Sequence, residues 1–186
     1  MKNKLLIILF LTAVIFIFPS CPAKAQNASS PDMAKVFAEA GLPLYSSRVS
    51  PREFSLKTLT GETQSLSSFQ GKVVFLNFWA TWCGPCRIEM PSMEALYDRY
   101  KEKGLEILAV NCGEGQRDVL TFMRDNGLSF PALLDGDGRV SNSYGIQAIP
   151  TSFIIDREGK IVSRLVGSID WDTPKIHAVI ESLLNP

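Results

Sequence analysis

The stretch FLNFWATWCGPCRIEMP, residues 75–91, decides the fold of this protein. It overlaps VVFLNFW (73–79), a nearly continuous run of apolar, β-branched and aromatic residues that is typical of a strand covered on both faces. The cysteines Cys83 and Cys86 follow this strand, and we expect a helix to begin at the pair and to end near Lys103. The two cysteines therefore lie where a buried strand gives way to a helix.

The remaining patterns alternate between strands and helices and indicate an α/β fold. Two hairpins are expected, at 54–58 with 63–66 and at 151–156 with 160–166, and a single buried strand at 105–111. Residues 131–135 are expected to form only a short extended stretch. Further helices are expected at 118–127, closed by Gly127, and from Asp172, the expected N-cap, to the C-terminus. This order predicts an α/β sandwich in which two parallel strands joined by a crossover are extended by an antiparallel hairpin.

The first 25 residues have the layout of a secretory signal. Two lysines precede an apolar run at 5–18, and Ala23 and Ala25 supply the small residues of a cleavage site. As a helix, this run would span about 21 Å, less than the roughly 30 Å of a bilayer's hydrocarbon core. We therefore expect cleavage after Ala25, with a retained membrane anchor or a lipid-modified Cys21 as the alternatives.

Composition indicates one domain without a nucleic-acid surface. We divide the chain into the signal (1–25), a linker with one short helix (26–50) and one folded domain (51–186) that can bury one good core. The signal holds three lysines and no acid, so 16 of the 19 basic and all 19 acidic side chains remain, a formal charge of −3. No basic stripe is left for nucleic acid.

The spacing of Cys83 and Cys86 indicates redox chemistry. At positions i and i+3 of a helix, two thiols can form a small disulfide ring. The helix N-terminus supplies unpaired N–H groups and a partial positive charge, which lower the pKa of a cysteine there. We therefore expect Cys83 to be the exposed nucleophile and Cys86 the resolving thiol. Pro85 suits the first turn because its missing N–H has no partner there.

Two other interpretations of the pair are weaker. A purely structural disulfide would close too small a loop to remove much chain entropy. Half of a zinc site would lack its other ligands, since the chain has one histidine, His177, and no second close cysteine pair. We expect neither a metal nor another cofactor.

FWATWCGPC after a buried strand, together with IPT (149–151) before another strand, resembles thioredoxin. The preceding hairpin, LNFWATWC and the late REGKIV resemble the TlpA and ResA group of exported, often membrane-tethered thioredoxins, over residues 52–184. The resemblance implies a thioredoxin fold, which is a central mixed sheet with helices on both faces, here with an N-terminal β-hairpin extension. It implies that Pro150 follows a cis peptide bond beside the cysteine pair. It also implies that the Ile149 backbone pairs with a substrate chain, and that Trp82, Gly84 and Pro85 belong to the substrate-binding surface.

The thioredoxin pattern breaks at Asn77. Thioredoxins carry a buried Asp at this position that helps to move the proton of the resolving thiol, whereas an amide takes up no proton at neutral pH. Members of the TlpA and ResA group instead carry an acid three residues after the second cysteine, which is Glu89 here. One turn beyond Cys86, Glu89 can reach the sulfurs directly or through water. The helix dipole alone also favours an acid in these first turns.

We interpret the protein as an exported thiol:disulfide oxidoreductase that reduces protein disulfides through Cys83 and Cys86, in the periplasm or otherwise outside the cytoplasm. The resemblance alone implies the reducing direction, a membrane thiol carrier as electron donor, and apocytochrome c as a substrate during cytochrome c maturation. Cys112, at the end of a strand, is expected to be a small buried hydrophobic residue.

Two other functions stay open. A peroxiredoxin-like peroxidase would have a similar hairpin and strand order, but it needs a Thr placed before a single peroxidatic Cys and an activating Arg. Thr81 stands only two residues ahead of Cys83, and a resolving Cys follows at once. A non-catalytic binding or chaperone module on a thioredoxin scaffold is the second alternative.

Overall fold

Seven strands form one mixed sheet in the computed structural model, which describes residues 31–185. The strands are β1 (Ser55–Thr58), β2 (Thr63–Ser65), β3 (Val73–Trp79), β4 (Leu105–Cys112), β5 (Ala132–Asp135), β6 (Thr151–Ile155) and β7 (Ile161–Val166). The helices are α1 (Pro31–Glu39), α2 (Gly84–Tyr100), α3 (Gln116–Asp125), α4 (Arg139–Ser143) and α5 (Pro174–Leu184). Short 3₁₀ turns cover Leu66–Phe69 and Lys101–Lys103.

The strand order is β2-β1-β5-β4-β3-β6-β7. Strands β5, β4 and β3 are parallel, while the hairpin of β6 and β7 continues the sheet antiparallel to β3. The N-terminal hairpin of β1 and β2 extends the other edge by pairing antiparallel with β5. This topology confirms the predicted thioredoxin fold with its hairpin extension, and it adds β5 as a third parallel strand.

Strand β3 is buried along its whole length and divides the core into two layers. Phe75 and Trp79 point into the layer under α1, α2, α3 and α5, whereas Leu76 and Phe78 point into the layer under α4 and the 3₁₀ turn at Leu66–Phe69. Alternation along a strand sends successive side chains to opposite faces, so both faces of this strand need apolar residues. The run at 73–79 meets that requirement.

Several helices differ from the sequence-based expectations. Helix α2 ends at Tyr100, and residues 101–103 continue as a 3₁₀ turn. Helix α5 is capped by Thr173, whose hydroxyl accepts from the Ile176 N–H at 3.3 Å, while the expected cap Asp172 contacts His177 at 2.8 Å. Helix α4 was not expected; it forms because the carboxylate of Asp135 accepts two backbone N–H groups at its start.

The segment interpreted as a linker is packed against the domain. Phe37 on α1 is fully buried in the core layer that contains α5, and Leu42 is also buried. Farther along, the Tyr45 N–H donates to the Val162 carbonyl and the Ile161 N–H to the Val49 carbonyl, both at 2.8 Å. Residues from α1 to position 50 therefore cover one core face and one sheet edge.

The expected signal at 1–25 lies outside the described residues. Among residues 31–185, no helix is long and apolar enough to cross a membrane.

We expect Phe37→Ala to lower the free energy of unfolding by about 3 to 5 kcal/mol, because it removes a fully buried aromatic ring and leaves a cavity. Urea denaturation followed by fluorescence measures this loss. Lys35→Ala is the matched control on the same helix, since its side chain is 72% exposed, and it should change stability by less than about 0.5 kcal/mol. Equal stability of both variants would contradict the docking of α1.

Candidate active site

The two cysteines form a disulfide at the start of α2. Cys83 is the N-cap of this helix, and its Sγ accepts the backbone N–H of Cys86 at 3.2 Å. Gly84 and Pro85 occupy the first helical positions between the two cysteines. The sulfur of Cys83 thus accepts a hydrogen bond from an N–H in the first turn of the helix, an environment that favours a thiolate over a thiol.

Both cysteines are buried, and Cys83 is more buried than its expected role as an exposed nucleophile implies. Cys83 is 5% exposed and Cys86 is fully buried, so the expectation of an exposed Cys83 is wrong for this disulfide form. The reason is the neighbouring loop, whose Ile149 carbonyl oxygen lies 3.7 Å from the Cys83 Sγ. Pro150 follows a cis peptide bond, as the resemblance implied.

The sheet register explains why this loop meets the cysteines. Phe78 near the end of β3 pairs with Thr151 at the start of β6. The chain leaves β3 towards Cys83 and enters β6 through Pro150, so the two connections lie side by side at one edge of the sheet. Residues 66 positions apart in the sequence thereby face each other across a few ångströms.

Apolar side chains surround the exposed side of the pair. Trp82 is 71% exposed and Ile88 on α2 is 77% exposed, whereas Trp79 is fully buried in the core. A shallow pocket of about 200 Å³ lies beside the disulfide, lined by Trp82, Cys112, Ser141 and the residues 146–149 that precede Pro150. An apolar pocket next to a reactive sulfur can accept a side chain of a bound polypeptide.

Glu89 is 1% exposed and lies inside the protein, one turn of α2 beyond Cys86. Its Oε1 accepts from the Asn77 side-chain amide at 3.0 Å, and its Oε2 accepts from the Trp171 indole N–H at 2.9 Å. Burial raises the pKa of Glu89 to about 7, although the hydrogen bonds from Trp171 and Asn77 act in the opposite direction. A carboxyl group with this pKa can both accept and release a proton near neutral pH.

Asn77 joins Glu89 to the neighbouring strand. Its amide also donates to the Ser152 hydroxyl on β6 at 2.9 Å. The position at which thioredoxins hold an acid therefore holds a neutral donor that binds the acid of α2. Sequence reasoning did not assign a role to Trp171 or Ser152; the one available signal was a tryptophan inside the polar stretch GSIDWDTP (167–174).

Glu114 holds the loop that leads into Cys83. Its carboxylate accepts the Thr81 backbone N–H at 2.7 Å, the Thr81 hydroxyl, and the Asn111 side-chain amide at 2.7 Å. The hydroxyl of Thr81 is therefore directed at Glu114. This arrangement disfavours the peroxidase interpretation, which needs a threonine hydroxyl at the reactive sulfur.

Cys112 is half-buried at the end of β4 and lines the pocket beside Trp82, so it is more accessible than the expected core residue. Burial, followed by the nearby charge of Asp135, raises the pKa of its thiol to about 11. It is thus a weak nucleophile at neutral pH. Within residues 31–185, no group of three or more His, Cys, Asp or Glu side chains is placed to hold a metal ion.

Comparison with known proteins places this site in a family. The AhpC/TSA family model matches residues 50–164. Thiol-disulfide oxidoreductase ResA from Geobacillus thermodenitrificans is 44% identical over 125 residues, which cover 67% of this chain and 72% of that protein.

Solved structures show the same likeness. The thiol:disulfide interchange protein DsbE from Chlorobium tepidum is 35% identical with a TM-score of 0.69, covering 77% of this chain and 100% of that one. StoA from Bacillus subtilis is 32% identical with a TM-score of 0.59, covering 68% and 96% of the two chains. The chain belongs to the AhpC/TSA family and, within the thioredoxin fold, to the ResA-like thiol-disulfide oxidoreductases.

Proposed function

We propose that this enzyme reduces disulfide bonds of exported proteins, with Cys83 as the nucleophile and Cys86 as the resolving thiol. The observation that carries this assignment is the 3.2 Å contact between the Cys86 N–H and the Cys83 Sγ at the helix N-terminus. It supports a low-pKa thiolate on Cys83, whereas the Cys86 sulfur lies deeper in the protein.

The reaction has two exchanges. The Cys83 thiolate attacks one sulfur of the substrate disulfide, whose S–S bond breaks as the first substrate thiolate leaves and a mixed disulfide forms. Cys86 then loses its proton and attacks the Cys83 sulfur, releasing the second substrate thiolate. The substrate gains two electrons, and the protein returns to the Cys83–Cys86 disulfide.

Glu89 is the group that we assign to the proton of Cys86. It follows Cys86 by one helical turn and is held in the interior by Asn77 and Trp171. With a pKa raised to about 7, its carboxylate can accept the thiol proton during the second exchange. Asn77 cannot take this role because an amide has no basic site at neutral pH.

The loop before β6 supplies the substrate-binding surface. The backbone of Ile149 faces the Cys83 sulfur, so an extended substrate segment that pairs with this loop would bring its own sulfur to Cys83. We assign Trp82, Gly84, Pro85 and Pro150 to the rim of this surface, and the 200 Å³ pocket to a side chain near the substrate cysteine.

The cellular setting follows from the first 25 residues and from the resemblance to the TlpA and ResA group. We propose that the protein works outside the cytoplasm, in the periplasm where there is one, either free after cleavage or anchored by the apolar run at 5–18. A membrane thiol carrier would return electrons to Cys83 and Cys86, and apocytochrome c is the substrate that the group implies.

A trapping experiment tests the order of the two cysteines. Cys86→Ser should accumulate a mixed disulfide between Cys83 and a disulfide-bearing substrate, because no thiol remains to resolve it. Cys83→Ser should accumulate none, since Cys86 is fully buried. Non-reducing electrophoresis and mass spectrometry of the adduct measure both results. Equal trapping by the two variants would contradict the assignment.

The equilibrium potential of the Cys83/Cys86 pair tests the direction of electron flow. A reductant should lie near the thioredoxin value of about −270 mV, whereas a strong oxidant such as DsbA lies near −120 mV. Equilibration with glutathione or dithiothreitol buffers, read by alkylation and mass spectrometry, gives the value. A potential above about −180 mV would overturn the reducing role and leave the dithiol chemistry intact.

Replacing Glu89 tests its role as a base. Glu89→Gln should slow disulfide reduction by about 10-fold to 100-fold and should remove the rise in rate as pH increases through about 7, because that rise reports ionisation of the carboxyl group. It should also lower the pKa of Cys83, read by alkylation, since a nearby negative charge is lost.

Glu94→Gln is the matched control for Glu89→Gln, because Glu94 lies on the same helix and its carboxylate binds the Ser129 N–H instead. This variant should keep the wild-type pH profile. If Glu89→Gln leaves both the rate and its pH profile unchanged, Glu89 is not the base and only interacts favourably with the helix dipole.

A further inference from the structure

We propose that Trp171 is a positioning residue for Glu89: its indole N–H holds the buried carboxylate in place and in the ionised form that accepts the proton of Cys86. This inference rests on the proposed role of Glu89. It concerns the loop between β7 and α5, to which neither the sequence motifs nor the cysteine chemistry assigns a role.

The indole ring is fixed from several sides. Trp171 is 1% exposed, its ring packs against Phe75 of β3 with centroids 4.4 Å apart, and its Nε1–H donates to Glu89 Oε2 at 2.9 Å. The backbone of Trp171 is attached to the same turn of α2, because its N–H donates to the Ser92 hydroxyl, which donates in turn to the Glu89 carbonyl. Hydrogen bonds thus join the helix, the loop and the carboxyl group of Glu89.

An indole is suited to this task because it can only donate. The Nε1–H stabilises a carboxylate and has no lone pair with which to accept a hydrogen bond from a protonated carboxyl group. Asn77, the other side-chain donor, divides its amide between Glu89 and Ser152. Of the two bonds, the one from Trp171 lowers the pKa of Glu89 more.

Few other groups near Glu89 can change the pKa of its carboxyl group. On α2, its titratable neighbours are the thiols of Cys83 and Cys86, which the disulfide removes from titration. Strands β3 and β6 contribute the neutral side chains Asn77 and Ser152.

The loop before α5 carries acids on both sides of Trp171, but they are engaged elsewhere. Asp172 contacts His177 at 2.8 Å and Arg99 at 3.9 Å. Asp170 accepts the backbone N–H of Asp172 at 3.0 Å. The loop therefore acts on Glu89 through the indole of Trp171 and a backbone hydrogen bond from Ile169, both of which lower the pKa of Glu89.

The first experiment titrates Glu89 in the oxidised protein, where neither thiol of the pair contributes. The side-chain carboxyl ¹³C signal of Glu89, assigned by its absence in Glu89→Gln, is followed by NMR from pH 4 to pH 10. Loss of a hydrogen bond to a charged acceptor should raise the midpoint in Trp171→Phe by about one to two pH units. An unchanged midpoint would overturn the proposal whatever the activity.

Trp79→Phe is the matched control. Trp79 is also fully buried in the same core layer, and its indole nitrogen has no hydrogen-bond partner within residues 31–185. The same loss of ring volume should therefore leave the Glu89 midpoint unchanged. Should Trp171→Phe fail to fold, benzothienylalanine at position 171 keeps the fused ring without the N–H and should give the same upward shift.

The second experiment measures the rate of insulin disulfide reduction against pH. In Trp171→Phe the rise in rate that begins near pH 7 should shift to higher pH by the same amount as the NMR midpoint. The rate should therefore fall about 5-fold to 50-fold at pH 7 and recover above about pH 9. A loss that does not recover at high pH would indicate a folding defect and overturn the positioning role. In a Glu89→Gln background, Trp171→Phe should cause no further change in the profile.

The two experiments separate failure of this inference from failure of the proposed function. A raised midpoint with an unchanged rate profile would show that Glu89 is not the base. The role assigned to Glu89 and this inference would then both fall, while the proposed exchange through Cys83 and Cys86 would stand. The opposite result is also informative. If Glu89→Gln changes the rate profile as expected but Trp171→Phe leaves the Glu89 midpoint where it was, the proposed function stands and Trp171 has no part in it.

Discussion

The cost of burying the carboxyl group of Glu89 is the constraint on which the rest of the site depends. An ionisable group that is 1% exposed needs hydrogen-bond partners, because water is no longer available to it. Asn77 comes from the central strand and Trp171 from the loop before α5, so both elements must meet α2 at this point. Burial raises the pKa of Glu89 to about 7 even though these two donors and a backbone hydrogen bond from Ile169 lower it, and this value suits proton transfer in neutral surroundings.

The surroundings of the cysteine pair depend on two chain connections that meet at the edge of the sheet. Strand β3 ends where α2 begins, which directs helix N–H groups at the Cys83 sulfur. The antiparallel pairing of β3 with β6 brings the Ile149–Pro150 connection to the same place. A rigid sheet thereby sets the spacing between the reactive sulfur and the backbone that a substrate chain can pair with.

The two cysteines have different surroundings, and their proposed order of reaction follows from this difference. Cys83 follows Trp82 in the sequence and contacts the Ile149 carbonyl, and both of these residues line the open pocket, whereas Cys86 is fully buried. Two further residues that the sequence analysis considered do not take part in this exchange. The hydroxyl of Thr81 donates to Glu114, and Cys112 keeps its proton at neutral pH because burial raises its pKa. The proposed chemistry therefore uses one pair of sulfurs and one acid.

The sequence by itself determined the buried strand at 73–79, the redox-active spacing of Cys83 and Cys86 and the position of Glu89 one turn beyond them, because periodicity and helical spacing are local properties. Local patterns could not indicate that Trp171, 82 positions away, donates to Glu89, nor that α1 belongs to the core. They also misjudged the exposure of Cys83, which the loop before β6 covers. Burial and long-range hydrogen bonds depend on which elements pack together, and only the tertiary structure decided that.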